Sequence, residues 1–377
     1  MANAQRRAHA ALSALLPPIS PWVEAALFAP YRMPGALPEL GTDELDDILA
    51  LRLGPLLLNL LEQVERDGRL QADLPGAGAE VIETLRSYRV LGELRTRALL
   101  AKARHAANLL ESHGITLAVS KGPGIARHYP DPRLRPYHDI DLLVPERHFA
   151  TARTLLADHG WASAPQRREQ RQYFERLCRE AVNLELGELG RVDIHHHIPP
   201  WLWGSQLTTE TLIERAEPVS TAGYRFPVLD AVDNFIVSCL HIVSDRSEPG
   251  RSLVVWRDII ELGRVAGVDA IGARGHRLGL LGWIGAVVNS LPADVRPFPV
   301  PARWAVARID HPRRLSVMLN HGDPGRPIRR HLARLPAVPN AVAYAAGVTI
   351  PSHEFLDSHV DGSLKLLRWV SNRRVAR

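Results

Sequence analysis

Two aspartates separated by one apolar residue, Asp139 and Asp141, open the short apolar run Leu142-Leu143-Val144. In a β-strand, residues two apart point to the same side, so both carboxylates would project together, about 6.6 Å apart along the chain. Neighbouring anions repel each other, and a divalent cation offsets this repulsion most directly. Mg²⁺ binds a few carboxylates together with phosphate oxygens and water. Alone, the pair is a weak signal, because many proteins carry such residues on a solvated strand edge.

A glycine-rich turn with a lysine comes shortly before this pair. Lys121 and Gly122 follow the apolar run 115–120, and Gly124 comes two residues later. Glycine lets a ligand approach the backbone closely, and N–H groups at the start of a helix attract anions. The turn is neither a Walker A motif nor a dinucleotide-binding glycine motif. As structure alone it is simply a good turn, but beside the two aspartates it indicates a site for a metal and a phosphate.

A third acid lies in the segment Arg-Val-Asp-Ile-His-His-His-Ile, residues 191–198. Residues 181–198 predict a β-hairpin, in which alternation places Asp193, His195 and His197 on one face and His196 on the other. If this hairpin lies beside the 139–144 strand, Asp193 joins the aspartate pair at one edge. Successive histidines on a strand diverge, so no zinc site is predicted here. His196 is expected in the core, and His195 and His197 could line the site.

The elements that position these groups alternate between helix and strand only in the middle of the chain. The predicted segments, in order, are helices at 43–68 and 82–113, strands at 115–120 and 139–144, a helix at 146–160, the hairpin, and helices at 230–243, 253–267 and 353–373. Helices therefore return from about residue 216. This pattern predicts an α+β fold, with a helical region at 1–113, a mixed core at 114–215 and a helical domain at 216–377.

The composition excludes several classes of protein. With 46% hydrophobic and 23% charged residues, the 377-residue chain is globular rather than disordered. Its formal charge of +5 favours anionic ligands but is too small to indicate a DNA-binding surface. Cys178 and Cys239 are far apart and predict neither a disulfide framework nor a zinc site. No membrane-spanning segment is predicted, because no apolar run is long enough, and we expect a cytoplasmic protein without a membrane partner.

The order of these motifs resembles the nucleotidyltransferase superfamily. More closely, the chain is similar to a family of uncharacterised bacterial nucleotidyltransferases, which implies a small mixed-sheet nucleotidyltransferase core flanked by N- and C-terminal helical regions. The matching residues are Lys121-Gly122, Tyr129-Pro130, Arg135, Asp139-Ile-Asp141-Leu-Leu-Val144 and Val-Asp-Ile-His at 192–195. The sequence departs from the superfamily at Lys121-Gly122, where a Gly-Ser turn is more usual.

The resemblance implies a metal-dependent enzyme that moves a nucleoside monophosphate from an NTP, ATP by default, to an acceptor and releases pyrophosphate. The acceptor is open among a small molecule, a peptide and a protein; nucleic acid is not expected beyond a tRNA end. The implied roles are binding of Mg²⁺ or Mn²⁺ by Asp139 and Asp141, a second metal or general-base role for Asp193, a cradle for the β,γ-phosphates at Ser120, Lys121 and Gly122, and stabilisation of the leaving pyrophosphate by Arg135.

Two alternatives use the same residues. One is a non-catalytic module that binds a nucleotide or a partner protein on this fold. The other is a metal-dependent phosphohydrolase built on His138-Asp139 and His241, which is disfavoured because that chemistry needs helical residues, whereas Asp139 begins a strand. We expect His241 and Asp258 outside the site, paired with each other if their two helices pack antiparallel.

Overall fold

The computed structural model describes residues 15–32, 37–67, 78–163, 181–187, 191–198, 207–244 and 253–305. The helix predicted near 353–373, and Cys178, lie outside these residues. The helices are α1 (Pro21–Phe28), α2 (Thr42–Ala50), α3 (Gly54–Arg66), α4 (Ala79–Ser112), α5 (Gly122–Ala126), α6 (Phe149–Asp158), α7 (Thr209–Ile213), α8 (Ala231–Ser244), α9 (Leu253–Ala266), α10 (Val268–Arg277), α11 (Leu281–Asn289) and α12 (Ala302–Ala305). None of them has both the length and the apolar character needed to cross a bilayer.

The strands form one mixed sheet. They are β1 (Ala118–Ser120), β2 (Asp139–Leu143), β3 (Ala162–Ser163), β4 (Ala181–Glu185), β5 (Arg191–His195), β6 (Glu217–Thr221) and β7 (Tyr224–Val228). Their order is β3-β4-β5-β2-β1-β7-β6. Strands β2 and β5 run parallel, as do β1 and β7, and the other neighbours run antiparallel. The α+β fold class is therefore confirmed, and β4 and β5 form the predicted hairpin.

Alternation along β2 and β5 decides which side chains reach the core. Ile140, Leu142, Val192 and Ile194 are fully buried in a cluster with residues of α4 and α6, which cover that face of the sheet. The intervening residues of both strands point to the opposite face, because side chains alternate. There Leu143 packs into a second cluster that includes residues of α5 and α8. This second face carries the aspartates.

Helices from the two ends of the described chain share that second cluster. Trp22 of α1 and Leu57 of α3 are buried in it together with Trp256 of α9 and Trp283 of α11. The buried Arg257, on α9, also donates hydrogen bonds to two backbone carbonyls, that of Leu27 in α1 and that of Ala29, the first residue after α1. The N-terminal helices therefore pack directly against the C-terminal helices. The domain boundaries at 113 and 215 stay predictions.

Two of the predicted segments differ from the structure. The single helix predicted over 43–68 is two helices, α2 and α3, separated at Arg52, whose φ is +63°. The break precedes Gly54-Pro55, which begin α3; proline is tolerated in the first turn of a helix but not in its interior, where its missing N–H would break the ladder. The prediction of helices from residue 216 is also wrong, because β6 and β7 come first and extend the sheet beside β1. This pairing is long-range, so local periodicity does not reveal it.

Candidate active site

The glycine-rich turn joins β1 to α5. Lys121 has a φ of +55° and Gly122 one of +40°, in the left-handed region that glycine enters without strain. The Asn234 side chain, on α8, accepts a hydrogen bond from the Lys121 N–H at 3.0 Å and donates one to the Leu229 carbonyl at 2.8 Å. A Cβ on Gly124 would lie 3.2 Å from the Asn234 amide nitrogen. Asn234 therefore packs closely under the turn and stabilises its strained conformation.

The three predicted aspartates lie on one face of two adjacent parallel strands. Asp141 on β2 pairs directly beside Asp193 on β5, and Asp139 pairs beside Arg191. Neighbouring strands are about 4.8 Å apart, so these side chains project side by side. Asp141 and Asp193 are mostly buried, and Asp139 is about one-third exposed at the start of its strand. The sequence prediction required the hairpin to lie beside the strand that carries Asp139 and Asp141, and it does.

Two basic side chains contact Asp141. The Lys121 Nζ lies 3.1 Å from its Oδ2, and the His195 Nε2 lies 3.3 Å from its Oδ1. Lys121 comes from the turn after β1, and His195 comes from β5, two residues after Asp193. The glycine-rich turn and the aspartates are therefore parts of one site.

Arg191 bridges the other two carboxylates. Its Nη2 lies 3.0 Å from Asp139 Oδ2, and its Nε lies 3.1 Å from Asp193 Oδ1. The Asn183 side chain, on β4, donates a hydrogen bond to Asp193 Oδ2 at 3.1 Å. Each of the three aspartates thus has a positively charged or polar partner within the protein.

The two buried carboxylates differ in pKa. Burial raises the pKa of Asp141, but Lys121 and then His195 outweigh this effect, so the net pKa lies well below the ordinary value. For Asp193, burial and then the charge of Asp141 raise the pKa to about 7, although Arg191 opposes them. Asp141 is therefore an anion at neutral pH, and Asp193 can exchange a proton there.

Arg135 is engaged in a buried ion pair. Its Nε and Nη2 donate hydrogen bonds of 3.0 and 2.8 Å to the two carboxylate oxygens of Asp258, which also accepts one of 2.7 Å from the Tyr129 hydroxyl. Arg135 is 7% exposed and Asp258 0%. The expected partnership of Asp258 with His241 is wrong, because Asp258 instead binds Arg135 and Tyr129.

The histidines separate into different environments. His195 contacts Asp141, whereas His197 lies 3.8 Å from Glu146, an acid outside the aspartate set. His196 is buried, as expected. His241, which was expected outside the site, lies within reach of its charges: burial and then the charge of Lys121 lower the pKa of His241 to about 3.

Sequence reasoning missed three residues of this site. Arg191 lies two residues before Asp193 on the same strand face, so the alternation pattern contained a signal for it. Asn183 lies directly across the hairpin from Asp193, which the hairpin register would have indicated. Asn234 comes from a helix more than 100 residues after the turn that it supports, and no local pattern points to it.

The site is suited to an oxygen-preferring cation and an anionic ligand. Asp141, Asp193 and His195 offer ligand atoms that lie within 4.8 Å of one another, and Asp139 adds a third carboxylate. Mg²⁺ and Mn²⁺ prefer carboxylate, phosphate and water oxygens. When Asp193 is ionised, three carboxylates face the two permanent cations Lys121 and Arg191, and the carboxylates then outnumber these cations. The residues therefore fit a divalent cation.

Comparison with known proteins adds a family to this geometry. Residues 50–281, more than half of the chain, match the family model described as uncharacterised nucleotidyltransferase. A search of the curated proteins found no match. The chain is also similar to the solution structure of the antibiotic-resistance factor ANT(2'')-Ia, with 13% identity and a TM-score of 0.33, over 48% of this chain and 92% of that one. The family match spans the turn and all three aspartates.

Proposed function

Because the chain belongs to the family of uncharacterised nucleotidyltransferases, we propose that it is a metal-dependent enzyme that transfers a nucleoside monophosphate. The donor is an NTP, by default ATP, and the acceptor carries a hydroxyl group on a small molecule, a peptide or a protein. The acceptor oxygen forms a bond to the α-phosphorus of the NTP. The bond between that phosphorus and the bridging oxygen breaks, and pyrophosphate leaves.

The register of β2 against β5 is the observation that supports this proposal most strongly. It sets Asp141 directly beside Asp193, with Asp139 on the same face. The Lys121 ammonium reaches Asp141 from the glycine-rich turn, so a cation for a triphosphate adjoins the carboxylates for a metal. Neither the carboxylates alone nor the lysine turn alone would suit a metal-bound nucleotide.

Asp139 and Asp141 are the proposed ligands of Mg²⁺ or Mn²⁺, which when bound neutralises charge on the triphosphate and on the leaving pyrophosphate. Asp139 is the more exposed of the two and Asp141 is held as an anion by Lys121 and His195. Arg191 contacts one carboxylate oxygen of Asp139 and one of Asp193, so it would compete with a metal for those two oxygens. We expect Arg191 to give up at least its contact with Asp139 when the metal binds.

Asp193 is the proposed general base, although it is also near enough to Asp141 to take part in metal binding. Its pKa of about 7 allows it to accept a proton from the acceptor hydroxyl at neutral pH. Asn183 donates to one of its carboxylate oxygens and so orients the group. His195, beside Asp141, would line the same space.

The nucleotide phosphates are proposed to bind at Ser120, Lys121 and Gly122. Ser120 is buried at the end of β1, and the backbone at Lys121 and Gly122 has the positive φ angles described above. Arg135 is a proposed contact for the pyrophosphate, but its Nε and Nη2 already donate to Asp258. A bidentate phosphate contact by Arg135 would therefore require the buried ion pair to break.

The direct test is to incubate the full chain with each α-labelled NTP, Mg²⁺ or Mn²⁺, and fractionated candidate acceptors. The expected result is label transferred to one acceptor together with an equal amount of pyrophosphate. Asp141→Asn should lower the transfer rate at least about 1,000-fold, because the proposed metal site loses a charged ligand. The matched control is Asp158→Asn, an exposed aspartate at the end of α6.

Each other outcome points to a different function. Mg²⁺-dependent NTP binding without transfer or pyrophosphate release would indicate the non-catalytic module. Release of orthophosphate without nucleotide transfer would indicate a phosphohydrolase. If Asp141→Asn transfers the label as fast as the Asp158→Asn control, the proposed metal role is wrong.

A further inference from the structure

A second group of metal-ligand side chains lies beyond the aspartates, where β2 and β5 end. Glu146 follows β2, and His196 and His197 follow β5. Since these strands run parallel, the chain leaves both at the same edge of the sheet. One ligand atom from each of the three residues lies within 4.8 Å of the others. None of these residues takes part in the proposed nucleotidyl transfer.

The backbone bends after His195, and this bend brings the two histidines together. The strand ends at His195, and residues 196 and 197 form a bend. As a result the His196 and His197 rings are 4.2 Å apart between their centroids. The rule that successive strand histidines diverge, on which the sequence prediction of no zinc site rested, therefore does not apply to this pair.

One ligand of the group is rigid and the other two can adjust. His196 is 1% exposed and stacks on Phe149, with ring centroids 3.9 Å apart. His197 is about one-quarter exposed and Glu146 about half exposed, and the His197 Nε2 lies 3.8 Å from the Glu146 Oε1. Ligand atoms on a tetrahedral zinc ion are about 3.3 Å apart, given bonds of about 2.0–2.1 Å. A small rotation of the Glu146 side chain would close this gap.

The short helix α7 positions both sides of the group. The Thr209 hydroxyl donates to the His196 carbonyl at 3.4 Å. The Glu210 Oε1 accepts a hydrogen bond of 3.0 Å from the Glu146 N–H. Adjacent residues of one helix thus hold the backbone of a ligand from each strand. These contacts hold the backbone of Glu146 and of His196 in place, and so limit where their side chains can reach.

We propose that Glu146, His196 and His197 form a zinc site, with a water molecule as the fourth ligand. Two imidazoles and a carboxylate are typical zinc ligands, whereas Mg²⁺ prefers an all-oxygen set such as the aspartates of the active site. The group with two imidazoles therefore suits zinc better than the aspartate group, to which His195 adds a single imidazole. Zinc would join the ends of β2 and β5, the strands that carry all three aspartates, and so stabilise the sheet beside the active site.

The test is a Zn²⁺ titration of the full chain against a chromophoric chelator, after metal removal and with excess Mg²⁺ to saturate the aspartates. The wild-type chain should bind one Zn²⁺ per molecule. His197→Gln and Glu146→Gln should each weaken binding at least about 100-fold, since each removes a ligand rather than an outer contact. Zn²⁺ should raise the unfolding temperature of the wild-type chain and not that of His197→Gln.

Two control variants make the result specific. His113→Gln changes an exposed histidine at the end of α4 and should bind Zn²⁺ as the wild type does. Asp141→Asn should also bind it normally, because Asp141 belongs to the other group of ligand side chains, with Asp193 and His195. The proposal is overturned if Zn²⁺ binding is lost in Asp141→Asn, or if both His197→Gln and Glu146→Gln bind Zn²⁺ like the wild type. Glu146 is half exposed, so Glu146→Gln tests the site even if His197→Gln does not fold.

Discussion

Replacing Asp258 by asparagine would leave the Arg135 guanidinium buried beside a neutral partner. Asp258 is 0% exposed and accepts three hydrogen bonds, two from Arg135 at 3.0 and 2.8 Å and one from the Tyr129 hydroxyl at 2.7 Å. Burial lowers the pKa of Arg135, but the charge of Asp258 outweighs this effect and keeps the guanidinium protonated. The substitution therefore removes the charge that makes burial of Arg135 tolerable.

We expect Asp258→Asn to lower the free energy of unfolding by about 3–5 kcal/mol, the cost of removing one partner of a buried ion pair. Tyr129→Phe removes only one hydrogen bond to a charged acceptor and should cost about 1.5–3 kcal/mol. Arg135→Met combined with Asp258→Asn should be more stable than Asp258→Asn alone, because no uncompensated charge remains. The order of these three variants, and not only one value, follows from the structure.

The assay is urea unfolding of the full chain followed by circular dichroism, with the exposed Asp158→Asn as the matched control. Transfer of labelled nucleotide is measured on the same variants under conditions in which each is folded. If Asp258→Asn unfolds within about 0.5 kcal/mol of the control, the ion pair is not structural. If instead it leaves stability intact and raises the KM for the NTP, Arg135 acts on the nucleotide directly, as the resemblance implies.

Three further perturbations follow from the described contacts. Arg191→Gln should tighten Mg²⁺ binding up to about 10-fold in a Mg²⁺ titration, because a half-exposed cation no longer competes for Asp139 and Asp193. Asn234→Ala should lower the free energy of unfolding by about 2 kcal/mol in urea, because the Lys121 N–H of the turn and the Leu229 carbonyl each lose a hydrogen bond. Burial, and then Arg127, lower the pKa of His128 to about 4 from an unfolded value of 6.5. As pH falls, the unfolded chain therefore takes up this proton before the folded chain does. At pH 5 this uptake should lower the free energy of unfolding of the wild type by at most about 2 kcal/mol, and His128→Gln should lack that loss.

Each of these expectations has a result that contradicts it. Weaker Mg²⁺ binding in Arg191→Gln would mean that the arginine supports the metal site instead of competing with the cation. Wild-type stability in Asn234→Ala would mean that water replaces the amide under the turn. An equal loss of stability between pH 7 and pH 5 in His128→Gln and wild type would assign that loss to other groups.

Much of the site could be predicted because it is built from local alternation. A period of two places Asp139 and Asp141 on one face, and the same period isolates Asp193 in its own strand. The hairpin could be predicted from its own segment, since its two strands are adjacent in sequence. The convergence of the three acids needed one further condition, the pairing of β5 with β2, which the structure satisfies.

The rest depends on residues that are distant in sequence. Asn234 reaches the turn at Lys121 from a helix more than 100 residues later, and Asp258 reaches Arg135 from still farther along the chain. No local pattern encodes such contacts, because they exist only once the helices pack on the sheet. The break at Arg52 is different, since the Gly54-Pro55 pair next to it was visible in the sequence.

By itself, the sequence determined the kinds of groups in the site, the faces of β2 and β5 on which they lie, and the α+β class. These features depend on side-chain chemistry and on the two-residue period of a strand. Only the tertiary structure decided which cations neutralise the acids, that Arg135 lies in a buried ion pair, and that His196 and His197 converge with Glu146. These contacts join residues that are far apart in the sequence or that lie just past the end of a strand, so they form only when the helices and strands pack together.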